Sequence, residues 1–361
     1  MADFNSSLFN STRPVSTAST DACYNLLSKN LELRMFILIV CIMVILVGLT
    51  GNALIVYIIV KNKPMRASTN FFLINMAVCD IGVVCFMVPK KASEVLTDHL
   101  GWLVPGFTGR VLCKLVPFLH DVFSEGSTYS LLLITLDRFI AVVLPHKRWL
   151  SSKFIVLVII SCAWVASFSV NAVILKTVRL VRFNSKIYCM SIWDSSREEF
   201  LAYVFTMITI HFIFPIIFIP TAYTAIFRKL KLQFAASRNS ISNQNQIHDL
   251  LRQRKIVNMA FAIVCGFAIC WTPLALQGIL RFTVFLDQAV LPCPFRRFQD
   301  ASHYFLLFIA VTNPVICFTF GTVFKENLKR LYRRLCGCGR RRASVANTDI
   351  ELNIDRVEEP E

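Results

Sequence analysis

The chain has 361 residues, of which 55% are hydrophobic and only 17% charged. That excludes a soluble globule, whose surface needs more mixed charge, and leaves the lipid bilayer as solvent. The net charge of +16 would suggest nucleic acid in a soluble protein, but here the Lys and Arg gather in short stretches between long apolar runs, which is a topological signal.

Residues 1–32 form a polar tail with no apolar core behind a basic start, so no cleavable signal peptide is expected, and the first apolar run acts as the insertion signal. Two glycosylation sequons begin at Asn5 and Asn10 and matter only if this tail is extracellular. Seven apolar runs follow, at residues 35–60, 67–89, 115–136, 154–175, 200–227, 256–280 and 301–324. Each is long enough to cross a hydrocarbon layer that takes about 20 helical residues. The predicted fold is an all-α membrane protein, a seven-helix bundle spanning residues 33–322.

Loop charge sets the predicted orientation. Residues 61–66 carry Lys61, Lys63 and Arg66, residues 145–153 carry Lys147, Arg148 and Lys153, and neither loop holds an acid, so both face the cytoplasm. By alternation the basic stretches 228–255 and 325–342 lie on that side too, and the N-terminus is outside. Acids are rare within the spans: Asp80 in the second, Asp121 and Glu125 in the third. A carboxylate at the depth of Asp80 costs roughly 3 kcal/mol on insertion scales and needs a partner. The third span ends on an adjacent acid and base, Asp137-Arg138. Those charges either mark a membrane boundary or form a pair that a helix movement can separate.

Between the fourth and fifth spans, residues 177–193 alternate in part and turn at Asn184-Ser185, which predicts a hairpin. Pro215, Pro273 and Pro314 each remove a helix hydrogen bond within a later span. Trp271 and Phe267 are four residues apart and share a helix face beside Pro273. After the seventh span, Phe324, Leu328, Leu331 and Leu335 recur at helical spacing among bases, predicting an interfacial helix over 323–335. In the tail, 336–361, Cys336 and Cys338 are candidates for palmitoylation rather than for zinc, and Ser344 follows a basic run that suits a kinase.

Taken in order, Gly51-Asn52, Asn75 to Asp80, Cys113, Asp137-Arg138-Phe139, Trp164, Cys189, Pro215, Tyr223, Phe267, Cys270-Trp271-Thr272-Pro273, Asn313-Pro314 and Phe324 resemble the rhodopsin-like family of G-protein-coupled receptors. The resemblance covers about residues 33–335. It implies a Cys113–Cys189 disulfide that ties the second outer loop to the third helix, on an oxidising side where bridges persist. A second bridge, Cys23 to Cys293, is a further expectation. It also implies a polar pocket of Asn52, Asp80, Ser127 and Asn313 around a sodium ion, the alternative being a protonated Asp80 in a water network. The implied activation switch comprises Asp137, Arg138, Tyr223, Phe267, Trp271, Pro273 and Pro314.

Two departures stand out. Cys317 occupies the position where family members usually carry Tyr, and Gln253 the position where many have an acid facing Arg138. Raised basal activity is the expectation.

For the ligand, helical positions that match family contacts nominate Lys90, Lys91 and Glu94, then His120 and Asp121, then Gln277, Arg281, Gln299 and His303. Each alone can equally be a satisfied polar group. His120 stands where amine receptors carry Asp, which disfavours an amine. The seventh span has no Lys for a Schiff base, which excludes a retinal pigment within this family. Mixed signs favour a peptide, most simply a neuropeptide, over a small anionic or lipid ligand. The expected partners are a heterotrimeric G protein, arrestin, receptor kinases and the bilayer, at the plasma membrane. A transporter or channel is the rival class. It is disfavoured because midplane ionisable groups are so few, and no nucleophile and base suggest an enzyme.

Overall fold

The computed structural model describes residues 30–62, 65, 70–96, 102–146, 150, 152–183, 186–193, 197–238, 244–285 and 291–335. Ten helical segments and one hairpin account for most of them: α1 (Leu31–Lys61), α2 (Asn70–Leu96), α3 (Gly106–Val143), α4 (Lys153–Thr177), β1 (Val178–Phe183), β2 (Lys186–Ser191), α5 (Arg197–Ile208), α6 (Phe214–Arg238), α7 (Gln244–Thr283), α8 (Cys293–Leu307), α9 (Ile309–Phe320) and α10 (Thr322–Leu335). Seven helical stretches are long and apolar enough to cross a membrane, with α5–α6 forming the fifth and α8–α9 the seventh. Their outward faces carry bare apolar side chains such as Phe36, Phe154, Val165, Ile216 and Ile269. Such a belt is stable only against lipid tails.

The first helix starts where its sequence provides a cap. The Asn30 side chain accepts from the Leu33 amide at 3.1 Å, and Glu32 in the first turn complements the helix dipole. Most spans run past their predicted bounds. In particular, α6 continues to Arg238 and α7 begins at Gln244, so much of the basic stretch 228–255 is helix rather than loop. Lys, Arg, Gln and Leu are good helix formers, and water at the membrane surface lets the helices extend beyond the apolar core. The seventh span ends at Phe320, short of the apolar run 301–324, and Phe324, the first apolar position of the expected interfacial helix, lies in α10 beyond Gly321. There a Cβ would meet the Cys317 carbonyl at 2.5 Å, so the sharp exit requires glycine.

Prolines and one wide turn bend the spans. Between α5 and α6, Thr209–Ile213 form a π turn closed by the Phe214 amide on the Thr209 carbonyl, just ahead of Pro215. The seventh span breaks at Phe308, and Pro314 lies within α9. Packing then closes a ring: α1 on α2, α2 on α3, α3 on α4 and α6, α6 on α7, α7 on α8 and α9, and α9 back on α1. Because α3 also touches α7 it runs through the middle of the bundle. The largest buried cluster lies towards its Arg138 end, with Leu131, Ile134, Tyr223, Ile226, Ile263 and Phe267 among its members.

The hairpin forms as predicted. Its antiparallel register runs from Val178↔Ser191 to Phe183↔Lys186, which leaves a two-residue link. It lies across one end of the bundle, pinned to α3 by the Cys113–Cys189 disulfide with Cα atoms 5.6 Å apart. Cys293 is disulfide-bonded, and its expected partner Cys23 lies outside the described residues, as do Asn5, Asn10, Cys336, Cys338 and Ser344.

Helices α1 and α9 meet through Gly51, where a Cβ would stand 2.7 Å from the Pro314 ring. Gly51→Val is expected to lose about 1–3 kcal/mol through overpacking. Gly278→Ala, a change into open space within α7, is expected to gain about 0.5–1 kcal/mol. Thermal unfolding of both variants in lipid checks the pair.

Candidate functional site

Polar groups inside the bundle fall into separate stations along α3. The middle station is Asp80, fully buried. Ser127 donates to one carboxylate oxygen at 2.8 Å and Asn313 to the other at 2.7 Å. Asn52 joins from α1 by a different route. Pro314 has no N–H, so the Ala310 carbonyl one turn earlier loses its usual helix donor. The Asn52 amide supplies one at 2.8 Å and also bonds the Gly48 carbonyl at 2.8 Å. Its own Oδ1 is buried with no protein partner. All four residues expected around a sodium ion are therefore buried on the converging helices α1, α2, α3 and α9. The donor set suits a hard monovalent cation: one carboxylate, one hydroxyl and two amides, the Asn52 oxygen being unpaired. Among the described residues no group of three His, Cys, Asp or Glu could hold another metal.

At the far end from the hairpin stands Asp137-Arg138. The Arg138 Nε donates to Asp137 Oδ2 at 2.7 Å and its terminal nitrogen binds the same oxygen. Gln253 is exposed on α7. A cavity of about 270 Å³ opens beside the pair, lined by Asp137, Arg138, Arg252, Lys255, Met259 and Phe324 among others. The Tyr223 hydroxyl is buried beside Thr135 and near Arg138 without a hydrogen bond of normal geometry, and the Thr135 hydroxyl itself donates to the Leu131 carbonyl at 2.9 Å. Cys317, also fully buried, brings no hydroxyl to this region. Between the two ends, Trp271 lies 5.6 Å from Phe267 in α7 beside Pro273.

At the hairpin end the nine nominated ligand residues are spread over α2, α3, α7 and α8. Lys91 pairs with Glu94 at 2.8 Å and sits 5.6 Å over the Tyr304 ring. Lys90 stands near Asp121, Glu94 and Lys91, and His303 lies within the field of both lysines and Glu94. His303 also bonds the Gln299 carbonyl at 2.7 Å. His120 Nδ1 lies 2.6 Å from Asp121, whose side chain is 42% exposed. Arg281 binds the Phe285 carbonyl at the end of its own helix. His120 Nε2 and Gln277 Oε1 are buried without protein partners.

Two polar networks lay beyond sequence reasoning as networks. Trp164 donates to Asn75 at 2.9 Å and Asn75 to Ser130 at 2.8 Å, stapling α4, α2 and α3. Glu125, 1% exposed, accepts from Tyr129 at 2.5 Å and from Asn171, with His211 Nε2 at 3.9 Å. The signal for the second was present, since an acid within an apolar run must be satisfied.

Three features now converge: seven spans, a hairpin bridged to the third, and an acid–base pair at that span's opposite end. The profile of the 7 transmembrane receptor (rhodopsin family) matches residues 51–316, so the chain belongs to that family, signalling receptors rather than enzymes. It is 27% identical to G-protein coupled receptor 54 of Oreochromis niloticus over 326 residues, covering 87% of this chain and 83% of that one. Identity to neuropeptide Y receptor type 2 of Homo sapiens is 28% over 305 residues, 81% of this chain and 72% of that protein. Substance-P receptor of Aquarana catesbeiana matches at 26% over 296 residues, 80% and 68% respectively.

Replacing Asn52 by Leu leaves the Ala310 carbonyl without a donor. A loss of about 1–3 kcal/mol is expected, read as a lower unfolding temperature, with Asn52→Asp not equivalent because it brings a second carboxylate towards Asp80.

Proposed function

We propose that this receptor is activated by an extracellular peptide, a neuropeptide in the simplest case, and catalyses nucleotide exchange on a heterotrimeric G protein. The hairpin end faces outward at the plasma membrane and the Arg138 end inward, as the bases of the 61–66 and 145–153 segments require. The carrying observation is the mixed-sign polar mouth beneath the hairpin, where Lys90, Lys91 and Glu94 lie across from His120 and Asp121. A peptide with a terminal amine, a carboxylate and polar side chains meets several such groups at once. The unpartnered His120 Nε2 and Gln277 Oε1 offer it hydrogen bonds. Relatives named for neuropeptide Y and substance P support that ligand class.

Binding energy gathered there shifts the population of a two-state bundle. The Trp271–Phe267 pair repacks around Pro273, the inner half of α7 swings out, and Arg138 leaves Asp137 to meet the G protein. A screen of synthetic peptides on cells expressing the chain, read by second messengers, tests the ligand class. A responding peptide is expected to lose its signal in Arg138→Ala while surface expression stays constant. Signalling that survives this substitution refutes the role of the guanidinium.

A sodium ion held by Asp80, Ser127, Asn313 and the Asn52 carbonyl oxygen would neutralise the carboxylate and favour the resting bundle. Agonist-free signalling is expected to fall when sodium replaces a large organic cation inside and outside the cell. Asp80→Asn is expected to abolish that difference, and an unchanged sodium response in the variant rejects the site.

The resting state is only weakly locked, since Gln253 offers no charge and the Tyr223 hydroxyl has no hydrogen bond of normal geometry. Cys317→Tyr and Gln253→Glu are each expected to lower agonist-free signalling roughly fivefold, the effect of about 1 kcal/mol on a two-state equilibrium. Equal, low signal in all three forms counts against it.

A further inference from the structure

The cavity at the Arg138 end is cationic at its rim and apolar within. Arg252 and Lys255 stand three residues apart on α7, hence on one helix face, and Ile256, Met259 and Ile263 continue that face into the bundle. Phe324 of α10 closes the wall beside them. Among the described residues Asp137 is the one acid that lines the cavity, and Arg138 already binds its carboxylate. Arg252 and Lys255 are exposed, and among the described residues neither has a carboxylate within ion-pair distance. Gln253 between them is neutral.

The charge that this rim lacks is carried elsewhere in the same chain. Residues 349–361, DIELNIDRVEEPE, hold six of the 22 acids of the whole sequence against Arg356 alone. The segment lies outside the described residues, and its composition is what bears on the cavity. Asp349, Glu351 and Asp355 alternate with Ile350, Leu352 and Ile354, a pattern that in an extended chain puts acids on one side and aliphatic groups on the other. A cationic rim over an apolar floor complements it. Reach is sufficient as well. Helix α10 begins at Thr322, itself a lining residue, and its 14 residues are about 21 Å long. Residues 336–348 link its end to Asp349, and a flexible linker of about 13 residues has a relaxed end-to-end distance of about 20 Å. A tether whose relaxed length matches the span gives an effective concentration on the order of millimolar, at which weak, exposed ion pairs suffice.

We propose that residues 349–361 dock in this cavity and compete there with the G protein. Acids of the segment pair with Arg252 and Lys255, and an aliphatic side chain enters beside Met259 and Phe324. The docked segment covers the approach to Arg138, and the G protein displaces it on binding. A lipid headgroup offers the charge, but its tails stay in the bilayer, whereas the segment brings charge and aliphatic groups together. The competition rests on the G protein meeting this end of the bundle, as proposed above; the docking does not.

The test uses the full-length receptor, one copy in each nanodisc of neutral phosphatidylcholine, with benzoyl-phenylalanine in place of Leu352 and photo-crosslinks mapped by mass spectrometry. Crosslinks to the cavity-lining residues of α7 and α10, Met259 first among them, are expected. Their yield is expected to fall roughly fivefold in Arg252→Glu with Lys255→Glu, where two attractions become repulsions, and to return when Glu351→Lys and Asp355→Lys are added. Recovery by exchange of charge separates docking from a distorted inner end. The yield is also expected to survive phosphatidylserine in the lipid and to fall when nucleotide-free G protein binds. No crosslink with one copy per disc, or crosslinks confined to lipid or to residues outside the cavity, overturns the proposal, as does an undiminished yield in the charge-reversed form. Loss of the yield with phosphatidylserine assigns the cavity to lipid headgroups and overturns it too, and an unchanged yield with the G protein bound overturns the competition. Because the first comparison contains neither ligand nor G protein, its failure leaves the peptide-receptor reading untouched, and failure of the peptide screen leaves the docking result intact.

Discussion

An apolar bundle has no water to spare for a carboxylate or a stray carbonyl, and one knot of side chains meets both needs at once. Asp80 is held by Ser127 and Asn313, while Asn52 reaches the carbonyl that Pro314 deprives of its donor. In hydrocarbon each unsatisfied polar group costs several kcal/mol, so α1, α2, α3 and α9 cannot separate at this level without exposing one. The kink that loosens the seventh span is therefore also what ties it to the first. Gly51 permits that approach by leaving room for the proline ring.

From this fixed level the two halves of the bundle differ in how firmly they are tied. Towards the hairpin, the disulfide and the sheet hold the outer loop on α3. Towards the other end, Arg138 pairs with its sequence neighbour Asp137, a pairing that ties no second helix. The α6–α7 contact includes an aromatic trio, Tyr223, Phe227 and Phe261, packed at centroid distances of 5.0–6.0 Å among aliphatic side chains. Apolar contacts of this kind can slide without a hydrogen bond being broken. A structure knotted in the middle and lightly held at one end suits transmission of a small shift at Trp271 into a larger one at Arg138.

Much of this was legible in the residues alone, and the reasons are physical. Long apolar runs report spans because lipid admits few alternatives, and alternating residues around Asn184-Ser185 report a hairpin because side chains in strands point to opposite faces. Asp80 announced itself as a lone acid, and its partners followed from the family resemblance. Helix ends were less legible: α6 and α7 run on through basic residues that favour helix in water, where no hydropathy signal marks the limit. The Glu125 network was hidden for a different reason. Its members lie on three spans up to 86 positions apart in sequence, and only packing shows that one acid, one amide and one imidazole meet. The π turn that presents His211 likewise has no signature in composition.

The central claim is that the inner end of α7 parts from the rest of the bundle when Arg138 engages a G protein. Spin labels at Gln253 on α7 and Phe154 on α4, both exposed, report that separation once the exposed Cys85 and Cys162 and the tail residues Cys336 and Cys338 are replaced. Double electron–electron resonance on the receptor in lipid, with and without nucleotide-free heterotrimeric G protein, measures it directly. A new, longer-distance population on adding the G protein is expected, lost in Arg138→Ala. A distance distribution that stays the same while the G protein is bound contradicts the claim.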